Sequence, residues 1–373
     1  MNKRILITST DLMMIQFLVP HVINLSENGF DIEIACADVG GRIEEISQKL
    51  KGYVNKIHIV RIVRSPISPS NFKGYKDIKK IIQNGQYDII WTNEPVMGVA
   101  TRLAARKIRK TGVKVIYIVH GFHFYNGAPK LNWMIFYPIE RFMSRFTDTI
   151  VTINLEDFER AKKMHAKDVK YIHGIGINTD RLQKSENQND IRNELGIDDN
   201  DFIVLSVGEL TKRKNQQVII NALGLIKDKN IHYVICGKGI LLDKLTKLAK
   251  ENNIDNNVHF IGYRKDVVDI CSQSDLFVLP SLHEGLSVAS LEAMYCGLPV
   301  VISNIRGVGD YLENGKTGYI CDVDDVKAFA NAIQSLKNDE NLCLQFGNEN
   351  RLRVQKYCIE PVKIEVLTLF EQL

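Results

Sequence analysis

Short apolar runs separated by helix-length polar stretches set the rhythm of the first half of the chain. The runs at 4–9, 32–36, 57–63, 88–91, 113–119 and 149–153 predict parallel strands. After Arg4-Ile5-Leu6-Ile7-Thr8-Ser9 a helical pattern runs from about Ile15 to Asn28. Gly29 then reads as a C-cap, and Ile32–Cys36 as the next strand. Strand, helix, glycine, strand is a βαβ unit, and its repetition predicts a doubly wound, largely parallel sheet. The first βα turn, Thr8 to Met14, lacks a glycine-rich phosphate loop, so no dinucleotide fingerprint is read in this half.

Near 183–201 the pattern lapses. Gln183-Lys184-Ser185-Glu186-Asn187-Gln188-Asn189-Asp190 has no apolar anchor and reads as part of an inter-domain linker. A second alternating series then begins at Phe202–Gly208, with strands expected near 231–236, 258–261, 275–279, 299–302 and 318–320. The expected organisation is two Rossmann-like α/β domains, 1–183 and 202–358, joined by a linker at 184–201. A last helix, 359–373, would cross back onto the first domain.

At 373 residues the chain is long enough for two cores, and its 45% hydrophobic and 25% charged fractions suit a folded protein. Seven scattered cysteines without a Cys-x-x-Cys pair argue for reduced thiols and against structural zinc. No signal peptide is read, because Thr8-Ser9-Thr10-Asp11 interrupts the first apolar run. No apolar stretch reaches the roughly 20 residues of a membrane span. The net charge of +4 conceals an asymmetry: residues 1–185 carry 28 Lys+Arg against 17 Asp+Glu, a net of +11, and the remainder a net of −7. A basic first half suggests an anionic partner, such as a membrane surface or a phosphorylated lipid. No basic helix interleaved with aromatics points to nucleic acid.

The chemistry concentrates in Pro280-Ser281-Leu282-His283-Glu284-Gly285-Leu286-Ser287 and the helix that follows, to about Tyr295. A helix entered through a glycine turn presents unpaired N–H groups and the positive end of its dipole to an anion. Glu284 before the turn and Glu292 eight residues later are carboxylates suited to gripping hydroxyls. Pro-Ser-x-x-Glu-Gly, Glu-Ala-Met and Gly297-Leu298-Pro299-Val300-Val301 together resemble the donor-site signature of glycosyltransferase family 4. That family comprises retaining enzymes of the glycosyltransferase-B fold, two Rossmann-like domains facing across a cleft.

The resemblance assigns further residues. Gly208-Glu209-Leu210-Thr211-Lys212-Arg213-Lys214-Asn215 follows a strand and precedes a helix. Lys214 matches the family lysine on the donor diphosphate. Glu209 stands where the family has arginine, so Arg213 or Lys212 substitutes, or Lys214 and backbone act alone. Cys236-Gly237-Lys238-Gly239 reads as a tight turn or as the backing of the nucleotide. Backbone near Tyr263 and Arg264 would read the base, most commonly uracil. His120 matches the histidine that faces the donor sugar, whereas His123 is read as structural. His173-Gly174-Ile175-Gly176-Ile177-Asn178 resembles the family's turn before the linker. Asp322-Val323-Asp324 is read as a chance metal-like string.

The resemblance implies transfer of a hexosyl or N-acetylhexosaminyl group from a nucleotide-sugar, most commonly a UDP-sugar, to a lipid-linked saccharide. The pathway implied is bacterial capsule, exopolysaccharide or O-antigen assembly. Glu284, His120 and Lys214 are the expected catalytic residues. Gly208, Arg213, Lys214, Gly237, Tyr263, Arg264, Glu284, Gly285, Leu286, Ser287 and Glu292 are expected to hold the donor. No metal or other cofactor is required. The implied location is cytoplasmic, at the inner face of the membrane. Two patches suit either that surface or the core: Met13–Val19, and Leu131–Tyr137 beside Arg141 and Arg145. An epimerase or hydrolase of the same fold, and a silent nucleotide-sugar-binding partner subunit, are the alternatives.

Overall fold

The computed structural model describes residues 2–38, 43–182 and 190–373. The chain divides into two compact units, Met1–Gly176 with Ile359–Leu373, and Ile177–Cys358.

The first unit is built on a seven-stranded sheet: β1 Arg4–Asp11, β2 Asp31–Ala37, β3 Lys56–Ile59, β4 Ile89–Asn93, β5 Lys114–Val119, β6 Thr149–Thr152 and β7 Asp168–Tyr171. All pairings are parallel, in the order β3-β2-β1-β4-β5-β6-β7. Ile5 is registered with Ile32 on one side and Ile89 on the other, which places β1 and β4 at the buried centre. Strands covered on both faces are continuous apolar runs, and for that reason the pattern located them. The edge strand β7 was not foreseen; its Asp-Val-Lys-Tyr is partly exposed and has no apolar run.

The helix Ile359–Glu371 belongs to this unit and buries Val362, Val366, Leu369 and Phe370. Phe370 packs tilted against Trp91 of β4, with ring centroids 5.1 Å apart, and edge-on to Phe30 at 6.3 Å. The turn resembling the family's pre-linker turn docks on the same helix. His173 Nδ1 lies 2.6 Å from Glu365 Oε1, and a Cβ on Gly176 would come within 2.8 Å of the Ile359 Cα.

The second unit carries six parallel strands: β8 Phe202–Val207, β9 Ile231–Cys236, β10 Val258–Gly262, β11 Leu276–Leu279, β12 Val300–Ser303 and β13 Gly318–Cys321. Their order is β10-β9-β8-β11-β12-β13. Both sheets therefore reverse direction of growth beside their first strand, at β1/β4 and at β8/β11. Ligands of such sheets lie beyond the strand carboxyl ends at that switch point.

The expected linker needs correction. Residues 184–189 lie outside the described residues, but 190–201 are part of the second unit. Asp190 caps a short helix, Ile191–Leu195, by accepting from the Asn193 N–H, and Gly196 closes it at φ 66°. Ile191 and Ile197 are buried in the second unit's core. A polar run with two apolar anchors beyond it is a capped helix rather than free chain.

Candidate functional site

The β8 and β11 loops converge at the switch point of the second sheet. The Leu282 N–H donates to the Arg213 carbonyl at 2.8 Å, tying one loop to the other. Asn215 takes the left-handed φ of 53°, which asparagine tolerates, and its amide donates to the Val323 carbonyl. Gln216 donates to the Glu209 carbonyl at 3.0 Å. These bonds hold the basic loop just ahead of the helix Gln217–Ile226.

Its two cations meet one carboxylate. Lys214 Nζ donates to Glu284 Oε1 at 2.7 Å and Arg213 Nη1 to Oε2 at 2.7 Å, while Ser281 Oγ donates to Oε1 at 2.9 Å. Burial alone would push the Glu284 carboxyl up. The charges of Lys214 and Arg213, with hydrogen bonds from Lys214 and Ser281, outweigh it and hold the group below its ordinary value. Of the two substitutes for the family arginine, Arg213 reaches this cluster. Lys212 is exposed, as is Glu209.

The glycines explain the close fit. A Cβ on Gly208 would lie 2.9 Å from the Lys214 Cε, so the lysine stem lies directly over that glycine. A Cβ on Gly237 would fall 1.9 Å from the Gly208 carbonyl oxygen. Gly237 is thus required by contact between the ends of β8 and β9.

Beyond Glu284 the chain turns through Gly285 and half-buried Leu286 into the helix Val288–Cys296. Ser287 caps that helix: its Oγ accepts from the Ser290 N–H at 3.3 Å and from Ser290 Oγ at 2.9 Å. Glu292 is half-buried within the helix. Tyr263 is two-thirds exposed at 67%. The Arg264 guanidinium is held by Asp266 at 2.7 and 2.8 Å and by Glu194 at 2.7 and 2.9 Å.

A third cation escaped the sequence reading. Arg306, on the loop after β12, donates through Nε and Nη2 to the Glu284 carbonyl at 3.2 and 2.9 Å. It fixes the backbone whose side chain holds the other two. No local pattern announces it, because the partnership is between adjacent strand ends, and only sheet order brings them together.

His120 lies in the first unit, just past β5. Its Nε2 is 3.1 Å from Asn93 Oδ1, and burial pushes the imidazole down to about 4, so it is neutral near pH 7. His123 lies tilted against Phe136, with ring centroids 4.7 Å apart. Glu94, also missed, follows β4 with φ 62° and ψ 153°, a strained backbone for a residue with a Cβ. Its Oε2 accepts from Ser9 Oγ and the Thr10 N–H, both at 2.7 Å. Asp322 of the Asp-x-Asp string accepts from Asn304, and among the described residues no His/Cys/Asp/Glu group is arranged to hold a metal.

Two family models match parts of the chain: glycosyl transferase 4-like over residues 6–154, and glycosyl transferases group 1 over 187–353. EpsD of Bacillus subtilis, assigned as a glycosyltransferase, is 34% identical over 94% of this chain and 92% of its own length. The chain belongs to the glycosyltransferases. Another relative of this glycosyltransferase is the Escherichia coli UDP-Gal:alpha-D-GlcNAc-diphosphoundecaprenol alpha-1,3-galactosyltransferase, 28% identical over 87% of this chain and 84% of its own. Anabaena HepE, solved with UDP and glucose, superposes with a TM-score of 0.79 at 18% identity over all of both chains. Sucrose-phosphate synthase from Thermosynechococcus elongatus gives 0.78 at 17% identity, over 100% of this chain and 99% of its own. The fold of this transferase is glycosyltransferase-B.

Proposed function

We propose that this glycosyltransferase moves a sugar from a UDP-sugar to a lipid-linked saccharide, with retention at the anomeric carbon, in assembly of a bacterial surface polysaccharide. The observation that carries the reading is the Arg213–Lys214–Glu284 cluster at the β8/β11 switch point. The names of the Escherichia coli relative and of a Campylobacter jejuni diphospho-undecaprenol N-acetylgalactosaminyltransferase, 23% identical over 88% of this chain, support the acceptor class.

In this reading the donor diphosphate takes over Lys214 and Arg213, with N–H groups around Gly285–Ser287. Glu284 is released to the sugar hydroxyls, and Glu292 holds the ribose. The bond from the anomeric carbon to the phosphate oxygen breaks as the acceptor oxygen bonds to the same face. The acceptor's proton passes to the departing phosphate. Fixed positive charge where phosphate charge develops is the kind of term that dominates such steps. Burial keeps His120 neutral near pH 7, which fits it for hydrogen bonding rather than for a cation's role.

Membrane contact through the first unit is part of the proposal. Ile15 and Leu18 of the first apolar patch are core residues, Phe17 alone is exposed among its large apolar side chains that are described, and the Met13 side chain lies outside the described residues. The helix Lys130–Met143, in contrast, exposes Leu131, Met134, Ile135, Ile139 and Phe142 along one stripe. Among the described residues no helix is long and apolar enough to cross a membrane.

The test is transfer of radiolabelled sugar from a panel of UDP-, GDP- and ADP-sugars to undecaprenyl-diphosphate saccharides, with the product's anomeric configuration read by NMR. An inverted linkage would overturn the retaining assignment. Tight UDP binding with no transfer to any acceptor would point to a nucleotide-sugar-binding subunit, and free sugar or epimerised donor to the hydrolase or epimerase.

A further inference from the structure

The first unit contains a groove of about 810 Å³, floored by the helix Pro95–Ala105 and walled by the helices Ser70–Asn84 and Lys130–Met143. Its floor and walls are mostly apolar: Phe72, Tyr75, Val99, Leu103, Phe136 and Ile139 line it, with Asn71 and Glu140 among the polar exceptions. Its inner end is polar and sits at the β1/β4 switch point, where Thr10, Arg64 and Glu94 meet it. Both hydrogen bonds to the Glu94 carboxylate arrive at Oε2, so the carboxyl can still accept a ligand hydroxyl through Oε1. Arg64 is held through Nε by the buried Asp11 at 2.5 Å while its side chain remains 66% exposed.

The groove opens onto the exposed apolar stripe. Ile139 belongs to both, and Phe136 lies on the same helix as Leu131, Met134, Ile135 and Phe142. Cations rim this surface: Lys76 lies over the Phe72 ring at 4.7 Å and Arg145 over Phe142 at 5.9 Å. An apolar channel leading from a basic-rimmed apolar surface to hydroxyl- and anion-binding groups has the chemistry of an amphiphile read lengthwise.

We propose that the groove binds the hydrocarbon chain of the lipid-linked acceptor, with its hydroxylated head at Glu94 and its phosphate toward Arg64. The assignment rests on the acceptor class proposed above. It names the part of that acceptor the first unit recognises: chain as well as sugar. The floor suits the task, because buried Arg102 is locked to Glu140 at 2.8 Å and lies over the Tyr117 ring at 4.0 Å, which fixes the helix beneath the chain.

The experiment is calorimetric titration of the whole protein with dimethylallyl, geranyl and farnesyl phosphate, alongside UDP. Affinity is expected to rise at least tenfold from the shortest chain to the longest. Leu103→Trp, which fills the groove, should abolish that gain while UDP binds as before. Ile139→Glu, at the exposed mouth, supplies the same test without disturbing a buried position. Affinity independent of chain length, or a gain that survives both substitutions, overturns the proposal. A concentration-dependent dimer that Ile139→Glu breaks, with no prenyl phosphate bound, assigns the groove to a second copy and overturns it equally. Prenyl phosphate binding requires no donor and no turnover. A protein that transfers sugar yet ignores chain length loses only the groove, and one that reads chain length but transfers nothing loses only the catalytic reading.

Discussion

Glu284 is held by opposing demands: burial favours its neutral form, and Lys214 and Arg213 favour its charge. Glu284→Ala should lower turnover by roughly two to three orders of magnitude, the scale of losing one preorganised polar contact. UDP should still bind, since both cations remain; steady-state kinetics with calorimetry separate the two, and unchanged turnover would remove Glu284 from the site. Lys214→Ala should weaken UDP by at least about tenfold while hardly affecting uridine. Equal losses for the two ligands would contradict a phosphate role. These residues were legible because their spacing along the chain is itself the signal. Arg306 and Glu94 were not, since each matters through a neighbour supplied by a distant strand end.

At the scale of elements, legibility followed burial. Strands covered on both faces are apolar throughout and stand out; β7, an exposed edge, and the short helix Ile191–Leu195, inside a polar stretch, do not. The helix Lys130–Met143 shows what sequence alone left open: two apolar patches looked alike, and only burial assigns Ile15 and Leu18 of one to the core and exposes a stripe of the other. Ile135→Glu with Phe142→Glu should change stability little, by about 0.5 kcal/mol or less per exposed site. It should markedly reduce sedimentation with phosphatidylglycerol vesicles, and unchanged sedimentation would dismiss the membrane face. Gly237→Ala places a Cβ against the Gly208 carbonyl and must part the ends of β8 and β9. A loss of about 1–3 kcal/mol is expected by urea unfolding, together with weaker UDP binding, because Lys214 lies over the displaced glycine.

Across the whole molecule, buried imidazoles set a pH limit. Burial pushes His21 and His120 down to about 4, against an ordinary value near 6.5. Between those values the unfolded chain binds protons that the folded chain refuses, so stability rises with pH through that window and levels off above it. Each group contributes a slope of up to about 1.4 kcal/mol per pH unit. Melting temperature should therefore fall from pH 7 to pH 5, and His21→Gln should flatten part of that fall; a profile identical to that of the unaltered chain would exclude His21 as a cause. The last helix matters at this scale too. Phe370→Ala empties a fully buried site beside Trp91, at a cost of about 3–5 kcal/mol. Tryptophan fluorescence, from Trp91 and Trp133 of the first unit, should report its unfolding at lower urea, while UDP binding, proposed for the second unit, survives.

That helix also fixes an order of events during synthesis. The first unit draws on both ends of the chain, Met1–Gly176 and Ile359–Leu373, whereas the second is the uninterrupted segment between them. A ribosome making this protein completes the second unit before it has made the residues that cover Trp91. The earlier segment of the first unit thus finishes folding only after the second unit has been made, and meanwhile it keeps an apolar seat open on β4 for the helix still to come. A chain that terminates early at residue 358 would carry an intact second unit and an unsealed first one.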